Sequence, residues 1–182
     1  MSTLSISELK ELVGRYSDFP VTGIRFLDLN PLLYHIAARN TVSGDFSKNV
    51  PVGTGTIIAA PEARGFIWGS MLAQQHNIPF IPIRKKGKLP GTLLAQPYNL
   101  EYGTGELFMQ APQHLPGFKK GTDVIIVDDV LATGGTAKAC AELVDRMGCR
   151  VAAFYFVLGI AALNGKDTLK NYKAQVHITL EF

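Results

Sequence analysis

The feature that most constrains the fold is the stretch VIIVDDVLATGGT, which runs from residue 124 to residue 136. Four consecutive apolar residues, Val124 to Val127, are followed by two aspartates and then by a turn rich in glycine and threonine. An apolar run without alternation is typical of a strand buried on both faces, as in a parallel sheet covered by helices. The aspartates fall where such a strand leaves the sheet, so the sequence predicts a ligand site at this junction.

Strand and helix patterns alternate along the chain from residue 56 onward. Apolar segments predict strands at 56–60, 79–84, 106–110, 123–129, 150–158 and 175–182, and helices are predicted at 64–76 and 134–147. This alternation predicts an α/β fold with a mostly parallel sheet and helices on both faces. Because ligands bind beyond the carboxyl ends of the strands in such folds, the residues that follow 60, 84 and 127 are candidates for a functional site.

The patterns before residue 56 are weaker. Ser5 and Glu8 have the spacing of a capping box, so a helix is expected over 5–16. Residues 23–29 are expected to be extended. Residues 40–56 are rich in Gly, Ser and Asn and are expected to be mostly loop.

Composition and charge exclude several classes of protein. With 182 residues, of which 47% are apolar and 18% charged, the chain is expected to form a single domain over 1–182 with a large core. A formal net charge of +3 is too small to indicate binding to nucleic acid or to a membrane. The first residues lack the pattern of a signal peptide, and Cys140 and Cys149 form neither a disulfide framework nor a zinc motif, so a reduced, cytoplasmic setting is expected.

The residues after the apolar strand have the chemistry of a phosphosugar site. Asp128 and Asp129 can accept hydrogen bonds from sugar hydroxyls or lie near a divalent cation. The turn ATGGT opens a helix, where converging backbone N–H groups and the helix dipole favour a phosphate. The P-loop pattern GxxxxGK[ST] is absent, which argues against nucleotide hydrolysis. An ordinary strand–turn–helix connection is the alternative for the turn taken alone, but the paired aspartates in front of it favour a binding site.

The same stretch, VIIVDDVLATGGT, resembles the phosphoribosyl-pyrophosphate signature of the type I phosphoribosyltransferases. The stretches APEARGFIWG and IRKKGKLPG extend the resemblance to the adenine branch of that family. The whole resemblance covers residues 16–31 and 57–159. The resemblance implies the type I phosphoribosyltransferase fold, a mostly parallel twisted sheet flanked by helices. It further implies a small N-terminal hood and base-binding segment (1–35) and a flexible catalytic loop (85–104).

The resemblance also implies a reaction and its partners. The expected reaction transfers the 5-phosphoribosyl group from phosphoribosyl pyrophosphate to adenine, which is a step of purine salvage. The cofactor is expected to be Mg²⁺, bound through the substrate, with Asp128 and Asp129 as the candidate protein ligands. The enzyme is expected to be a homodimer.

Each candidate site residue takes its role from this resemblance. The residues expected to bind phosphoribosyl pyrophosphate are Glu62, Ala63, Arg84, Asp128, Asp129, Ala132, Thr133, Gly134, Gly135 and Thr136. Those expected to act in catalysis are Arg64, Lys88, Glu101 and Tyr102, with Glu101 as the acid–base candidate near adenine N7. Those expected to bind the base are Arg25, Phe26, Leu27 and Leu131. A non-proline cis peptide bond is expected between Glu62 and Ala63.

Departures from the family pattern bear on base specificity. The family usually has Phe-Arg-Asp where this chain has Phe-Leu-Asp at residues 26–28, and Arg25 lies two positions before Leu27, on the same face of an extended segment. Gly159 stands where the family usually has Glu. Residues 38–55 stand where relatives carry a longer regular helix.

Three alternatives stay open at this point. An enzyme for hypoxanthine, guanine or xanthine would share the phosphate site, although the stretches RKKGKLPG and LEYG favour adenine. A regulator that senses phosphoribosyl pyrophosphate would need a DNA-binding module, and no basic helix-turn-helix pattern precedes the first core strand. A generic phosphosugar-binding domain would account for the turn but not for the basic stretch after residue 84.

Overall fold

The computed structural model describes residues 3–51, 55–100 and 103–182. Its strands are β1 (Gly14–Ser17), β2 (Arg25–Asp28), β3 (Ile57–Pro61), β4 (Phe80–Lys85), β5 (Leu93–Leu100), β6 (Gly103–Gln110), β7 (Asp123–Leu131), β8 (Arg150–Gly159) and β9 (Gln175–Glu181). β1 and β2 form a separate antiparallel pair, and the other strands form one sheet in the order β5-β6-β4-β3-β7-β8-β9. Neighbours from β4 to β9 in this order are parallel, whereas β6 is antiparallel to both β4 and β5. The predicted α/β fold with a mostly parallel sheet is confirmed.

The sheet is buried on both faces, as the apolar run in β7 predicts. The helices are α1 (Ile6–Leu12), α2 (Asn30–Tyr34), α3 (Ile36–Asn49), α4 (Arg64–His76), α5 (Gly135–Arg146) and α6 (Gly165–Leu169). Ile126 belongs to the core on the α5 side, whereas Ile125 and Val127 belong to the core on the α3 and α4 side. Successive residues of a strand point to opposite faces, so one apolar run supplies both cores.

The expectation of a loop over 40–56 is wrong, because α3 forms most of the described part of that segment. This helix buries Ala38, Val42 and Phe46, which lie four residues apart on one face. Nδ1 of His35 caps the first turn by accepting a hydrogen bond of 3.2 Å from the N–H of Ala38. Burial of this face outweighs the weak helix propensity of the Gly, Ser and Asn residues.

No strand is predicted between residues 84 and 106, but the second half of that segment forms β5. This strand pairs with β6 along its whole length, from Leu93 opposite Gln110 to Leu100 opposite Gly103. Because β5 lies at the edge of the sheet, Pro97 is tolerated there without breaking an inner ladder. The irregular part is the connection between β4 and β5. The flexibility and the catalytic role expected of 85–104 stay predictions.

The structure also differs at the two ends of the chain. The capping box of Ser5 and Glu8 is confirmed, but the helix expected over 5–16 ends at Leu12 and β1 follows it. Residues 160–174, where no element is predicted, contain α6 between two short 3-10 turns.

None of the helices that the structure describes combines the length and the hydropathy needed to cross a bilayer.

Candidate active site

A cavity of about 400 Å³ opens at the carboxyl end of β7. Its walls come from β2, from the first residue of α4, and from the turn that joins β7 to α5. The lining residues are Pro20, Ile24, Arg25, Phe26, Leu27, Arg64, Val130, Leu131, Ala132, Thr133, Gly134, Gly135, Thr136, Ala137 and Ile160. The structure therefore brings the base-binding candidates, Arg64 and the turn 132–136 into one cavity.

The turn 132–136 has the geometry of an anion site. Gly134 caps α5 in the left-handed conformation, with φ +85° and ψ 0°. A side chain is excluded there, since a Cβ atom would lie 2.9 Å from Cβ of Thr168 and 2.7 Å from the carbonyl oxygen of Gly165. The N–H groups of Gly135 and Thr136, the first residues of α5, have no acceptor within the helix and carry its positive end. The turn can therefore bind a phosphate through backbone amides.

The two aspartates lie at the end of β7 in different surroundings. Asp129 is buried, with 4% exposure, whereas Asp128 is half-buried. The backbone N–H of Asp129 donates a hydrogen bond of 2.8 Å to Oδ1 of Asp128, which holds the Asp128 carboxyl against the neighbouring backbone. Burial, followed by repulsion from the Asp129 carboxylate, raises the pKa of Asp128 well above its usual value.

Arg64 connects these carboxyls to the base-binding candidates. Its Nε atom lies 2.6 Å from Oδ2 of Asp129, and its guanidinium carbon lies 5.8 Å from the ring centroid of Phe26. The Phe26 ring is supported on another side by the edge-on ring of Phe19, with 5.0 Å between centroids. A half-exposed cation therefore stands between an acidic pair and an aromatic platform.

A second group of candidates lies at the ends of β3 and β4. Oε2 of Glu62 accepts hydrogen bonds from Nε of Arg84 at 3.2 Å and from the N–H of Lys85 at 3.1 Å. Both bonds hold the pKa of Glu62 below its usual value, and the bond from Arg84 has the larger effect on that pKa. Arg84 also donates a hydrogen bond of 3.4 Å to the carbonyl oxygen of Lys88. Glu62 thus fixes the start of the basic turn that follows β4.

The remaining expectations have mixed outcomes. The peptide bond between Glu62 and Ala63 is cis, as expected. The side chain of Lys88 is exposed and does not line the cavity. Glu101 and Tyr102 lie outside the described residues, so their roles stay predictions.

A metal ion would depend mainly on ligands from a substrate. Within the described ranges, no group of three or more His, Cys, Asp or Glu side chains is arranged to hold one. Oδ2 of Asp129 is buried and pairs with Nε of Arg64 at 2.6 Å, but it accepts no hydrogen bond from a described residue. This acceptor, next to Asp128, fits a hard cation such as Mg²⁺ that also binds substrate oxygens.

Sequence reasoning missed the residues behind the turn. Gly165 and Thr168, at the two ends of α6, contact the turn 132–134 from the side away from the cavity. It also missed Pro20, Ile24 and Ile160 in the cavity wall. Gly165, in the stretch LNGK, is a local signal that two backbone segments approach closely. The sequence does not indicate that the other segment is the turn 132–134.

Known proteins similar to this chain share one family. The chain matches the phosphoribosyl transferase domain over residues 35–179. It is 43% identical over 164 residues to the adenine phosphoribosyltransferase of Thermosipho africanus, a match that covers 90% of this chain and 94% of that protein.

Solved structures are similar over nearly their whole length. The crystal structure of adenine phosphoribosyltransferase from Thermoanaerobacter pseudethanolicus has a TM-score of 0.89 and 36% identity, covering 98% of this chain and 100% of that one. The Saccharomyces cerevisiae enzyme of the same name, complexed with D-2,5-dideoxy-2,5-imino-altritol 1,6-bisphosphate and adenine, has a TM-score of 0.85 and 32% identity, covering 96% and 98%.

Proposed function

Because the chain belongs to the phosphoribosyl transferase domain family, we propose that it transfers the 5-phosphoribosyl group from phosphoribosyl pyrophosphate to adenine, giving AMP and pyrophosphate. The observation that carries this proposal is the single cavity that joins an anion-binding turn to an aromatic platform. A phosphosugar and a purine must meet in one cavity for this bond to form. The relatives that carry this activity in their names support the adenine branch.

The proposed placement of the phosphosugar follows the chemistry of the walls. The 5′-phosphate lies against the backbone N–H groups of residues 132–136. The ribose hydroxyls donate hydrogen bonds to Asp128 and Asp129, whose side chains lie near the end of β7. The base then lies between Phe26 and Leu131, where stacking and apolar contact hold its ring.

The proposed chemistry breaks the bond between C1 of the ribose and the pyrophosphate oxygen while N9 of adenine bonds to C1. The ribose gains oxocarbenium character and the leaving pyrophosphate gains negative charge. Arg64, Arg84 and Lys88 stabilise that charge, since cations placed beside a developing anion lower the barrier. Adenine must lose its ring N–H proton as N9 bonds to C1, and the proposed acceptor of that proton, at N7, is Glu101. The proposed role of Tyr102 is contact with the leaving pyrophosphate.

The proposed cofactor is Mg²⁺, held by substrate oxygens and by Asp128 and Asp129. When bound, it would neutralise part of the pyrophosphate charge. The support from this chain is the pair of adjacent carboxyls at the end of β7, which are oxygen ligands of the kind that Mg²⁺ prefers.

The experiment that tests the function measures pyrophosphate release with phosphoribosyl pyrophosphate, Mg²⁺ and each purine in turn. We expect release with adenine and not with hypoxanthine, guanine or xanthine. Asp129→Asn is the control, which should abolish turnover while the protein stays folded. Turnover with a 6-oxopurine alone would assign the chain to another branch, and no release with any base would refute the proposed function.

We also propose that the protein is a homodimer and that it acts in the cytoplasm. Three apolar side chains on the neighbouring elements α2, α3 and α4 are exposed, namely Tyr34 (91%), Ile36 (66%) and Ile67 (40%), and a second copy would cover them. Cys140 and Cys149 are buried and unpaired, which suits a reducing compartment. Light scattering should give twice the mass of one chain, and Ile36→Glu should shift that mass toward the monomer. A monomeric wild-type protein would contradict the dimer.

A further inference from the structure

Successive carbonyl groups of the turn after β7 face the chain segment 160–168. The carbonyl oxygen of Leu131 accepts a hydrogen bond of 2.9 Å from the N–H of Ile160. The carbonyl oxygen of Thr133 accepts one of 2.8 Å from Oγ1 of Thr168. Between them, the carbonyl oxygen of Ala132 lies so close to Gly165 that a Cβ atom on this glycine would overlap it. The turn is therefore held from behind by the segment that contains α6.

This contact determines where the amide hydrogens of the turn point. A peptide unit is planar and trans, so its N–H is directed opposite to its C=O. The carbonyl groups of Ala132 and Thr133 face α6, so the N–H groups of Thr133 and Gly134 face the other way. That other side is the cavity, which the turn lines and which Gly165 and Thr168 do not reach.

The peptide between Thr133 and Gly134 is the part of the turn that most needs such support. Gly134 has φ +85°, and glycine occupies both signs of φ at little cost, so this peptide plane can rotate. Rotation would turn the N–H of Gly134 away from the cavity and put a carbonyl oxygen, a poor partner for phosphate, in its place. The hydroxyl of Thr168 opposes this rotation by binding the carbonyl oxygen of Thr133.

We propose that Thr168 is a positioning residue for the 5′-phosphate of the substrate, acting through the Thr133–Gly134 peptide. This inference rests on the proposed function, because it assigns the turn to the 5′-phosphate. Thr168 does not touch the substrate, and its hydroxyl keeps one N–H donor aimed at the phosphate. The signal is invisible in the sequence because Thr168 lies 35 residues after its acceptor.

The test uses Thr168→Val, which keeps the shape of the side chain and removes the hydroxyl, and Thr168→Ser, which keeps the hydroxyl. Isothermal titration with ribose 5-phosphate should show roughly 5–10-fold weaker binding for the valine variant, the range expected for one lost hydrogen bond. The serine variant should bind within about twofold of wild type. In turnover, the valine variant should raise KM for phosphoribosyl pyrophosphate and leave KM for adenine unchanged.

The outcomes separate this inference from the proposed function. Equal affinity of wild type and Thr168→Val for ribose 5-phosphate would overturn the positioning role even if wild type makes AMP. Failure of wild type to bind ribose 5-phosphate would overturn it as well. If wild type binds ribose 5-phosphate with the expected dependence on Thr168 but releases no pyrophosphate with any purine, the positioning role stands and the proposed function fails. Thermal unfolding of both variants controls for a general loss of structure, which the serine variant would not rescue.

Discussion

Nε of Arg64 lies 2.6 Å from Oδ2 of Asp129, so the first residue of α4 is tied to the carboxyl end of β7. The partners differ in exposure, with the Arg64 side chain at 48% and that of Asp129 at 6%. The carboxylate is therefore held inside the fold, while the Arg64 side chain keeps enough exposure to contact a ligand in the cavity that it lines.

Replacement of this arginine should reduce turnover more than binding of the base. Arg64→Gln removes a proposed leaving-group cation that lines the cavity, so we expect kcat to fall by about 100-fold or more. Arg64→Lys keeps the charge and should lose less. Steady-state pyrophosphate release measures both variants, and a kcat within a fewfold of wild type for Arg64→Gln would rule out this role.

Asp128→Asn should stabilise the unliganded protein near neutral pH. Burial and the Asp129 carboxylate raise the pKa of Asp128 well above its usual 3.8, so its ionised form weakens the folded state. The cost is absent below that usual value, grows as the pH rises from it toward the raised pKa, and is fully present above the raised pKa. Asn keeps the Oδ1 acceptor without the charge, so we expect the variant to unfold at a higher temperature than wild type near pH 8.

The measurement for Asp128→Asn is thermal unfolding at several pH values. The difference from wild type should shrink as the pH is lowered toward about 4, where the unfolded chain also takes up the proton. A gain that does not depend on pH would contradict the electrostatic origin. Turnover of this variant should fall, since the same carboxylate is a proposed ribose ligand.

Glu62→Gln should show the opposite dependence on pH. Hydrogen bonds from Arg84 and from the N–H of Lys85 lower the pKa of Glu62 below its usual 4.5, so its ionised form stabilises the folded state. The stabilisation is present above that usual value and is lost as the pH falls through the lowered pKa. The variant should therefore unfold at a lower temperature than wild type near pH 7, and the two should converge in acid. An equal deficit at both pH values would point to packing instead of charge.

How far the sequence predicts this fold depends on whether the signal is local. The apolar run of β7, and α4 over Arg64–His76, are marked by their own residues and are predicted closely. α3 is missed because its stability comes from burial of Phe46 and its neighbours, which the Gly, Ser and Asn residues conceal. β5 is missed because Pro97 is usually a sign of a loop, and only its position at the sheet edge makes it acceptable.

The same distinction applies to the site. Residues 128–136 form one continuous stretch, so their pattern is enough to predict a phosphosugar site from the sequence alone. The hydrogen bond from Thr168 to the carbonyl oxygen of Thr133 and the contact of Arg64 with Phe26 each join segments that are far apart in the chain. Only the fold brings these segments together. The family resemblance assigns roles only to residues of known motifs, so it does not predict contacts of this kind.

Alanine at Gly134 should disrupt the turn, whereas alanine at Gly44 should not. Gly134 has φ +85°, and a Cβ atom there would lie 2.9 Å from Cβ of Thr168, so Gly134→Ala is strained and crowded. Gly44 lies inside α3, and a Cβ atom added to it would meet nothing within 4 Å, so Gly44→Ala should stabilise the protein by about 0.5–1 kcal/mol. Thermal unfolding and ribose 5-phosphate binding should separate the two, and weaker binding by Gly44→Ala would argue against a local effect at the turn.

Phe26 should contribute to binding of the base and not to binding of the phosphosugar. Phe26→Leu keeps an apolar side chain but removes the ring, and stacking of a base on an aromatic ring is worth about 1–3 kcal/mol. We therefore expect KM for adenine to rise by roughly 5–100-fold, with KM for phosphoribosyl pyrophosphate changed by less than about twofold. Phe19→Leu is the matched control, because Phe19 supports the Phe26 ring edge-on at 5.0 Å but does not line the cavity. A similar loss for both variants would mean that the aromatic pair shapes the wall of the cavity, and that Phe26 is not the platform for the base.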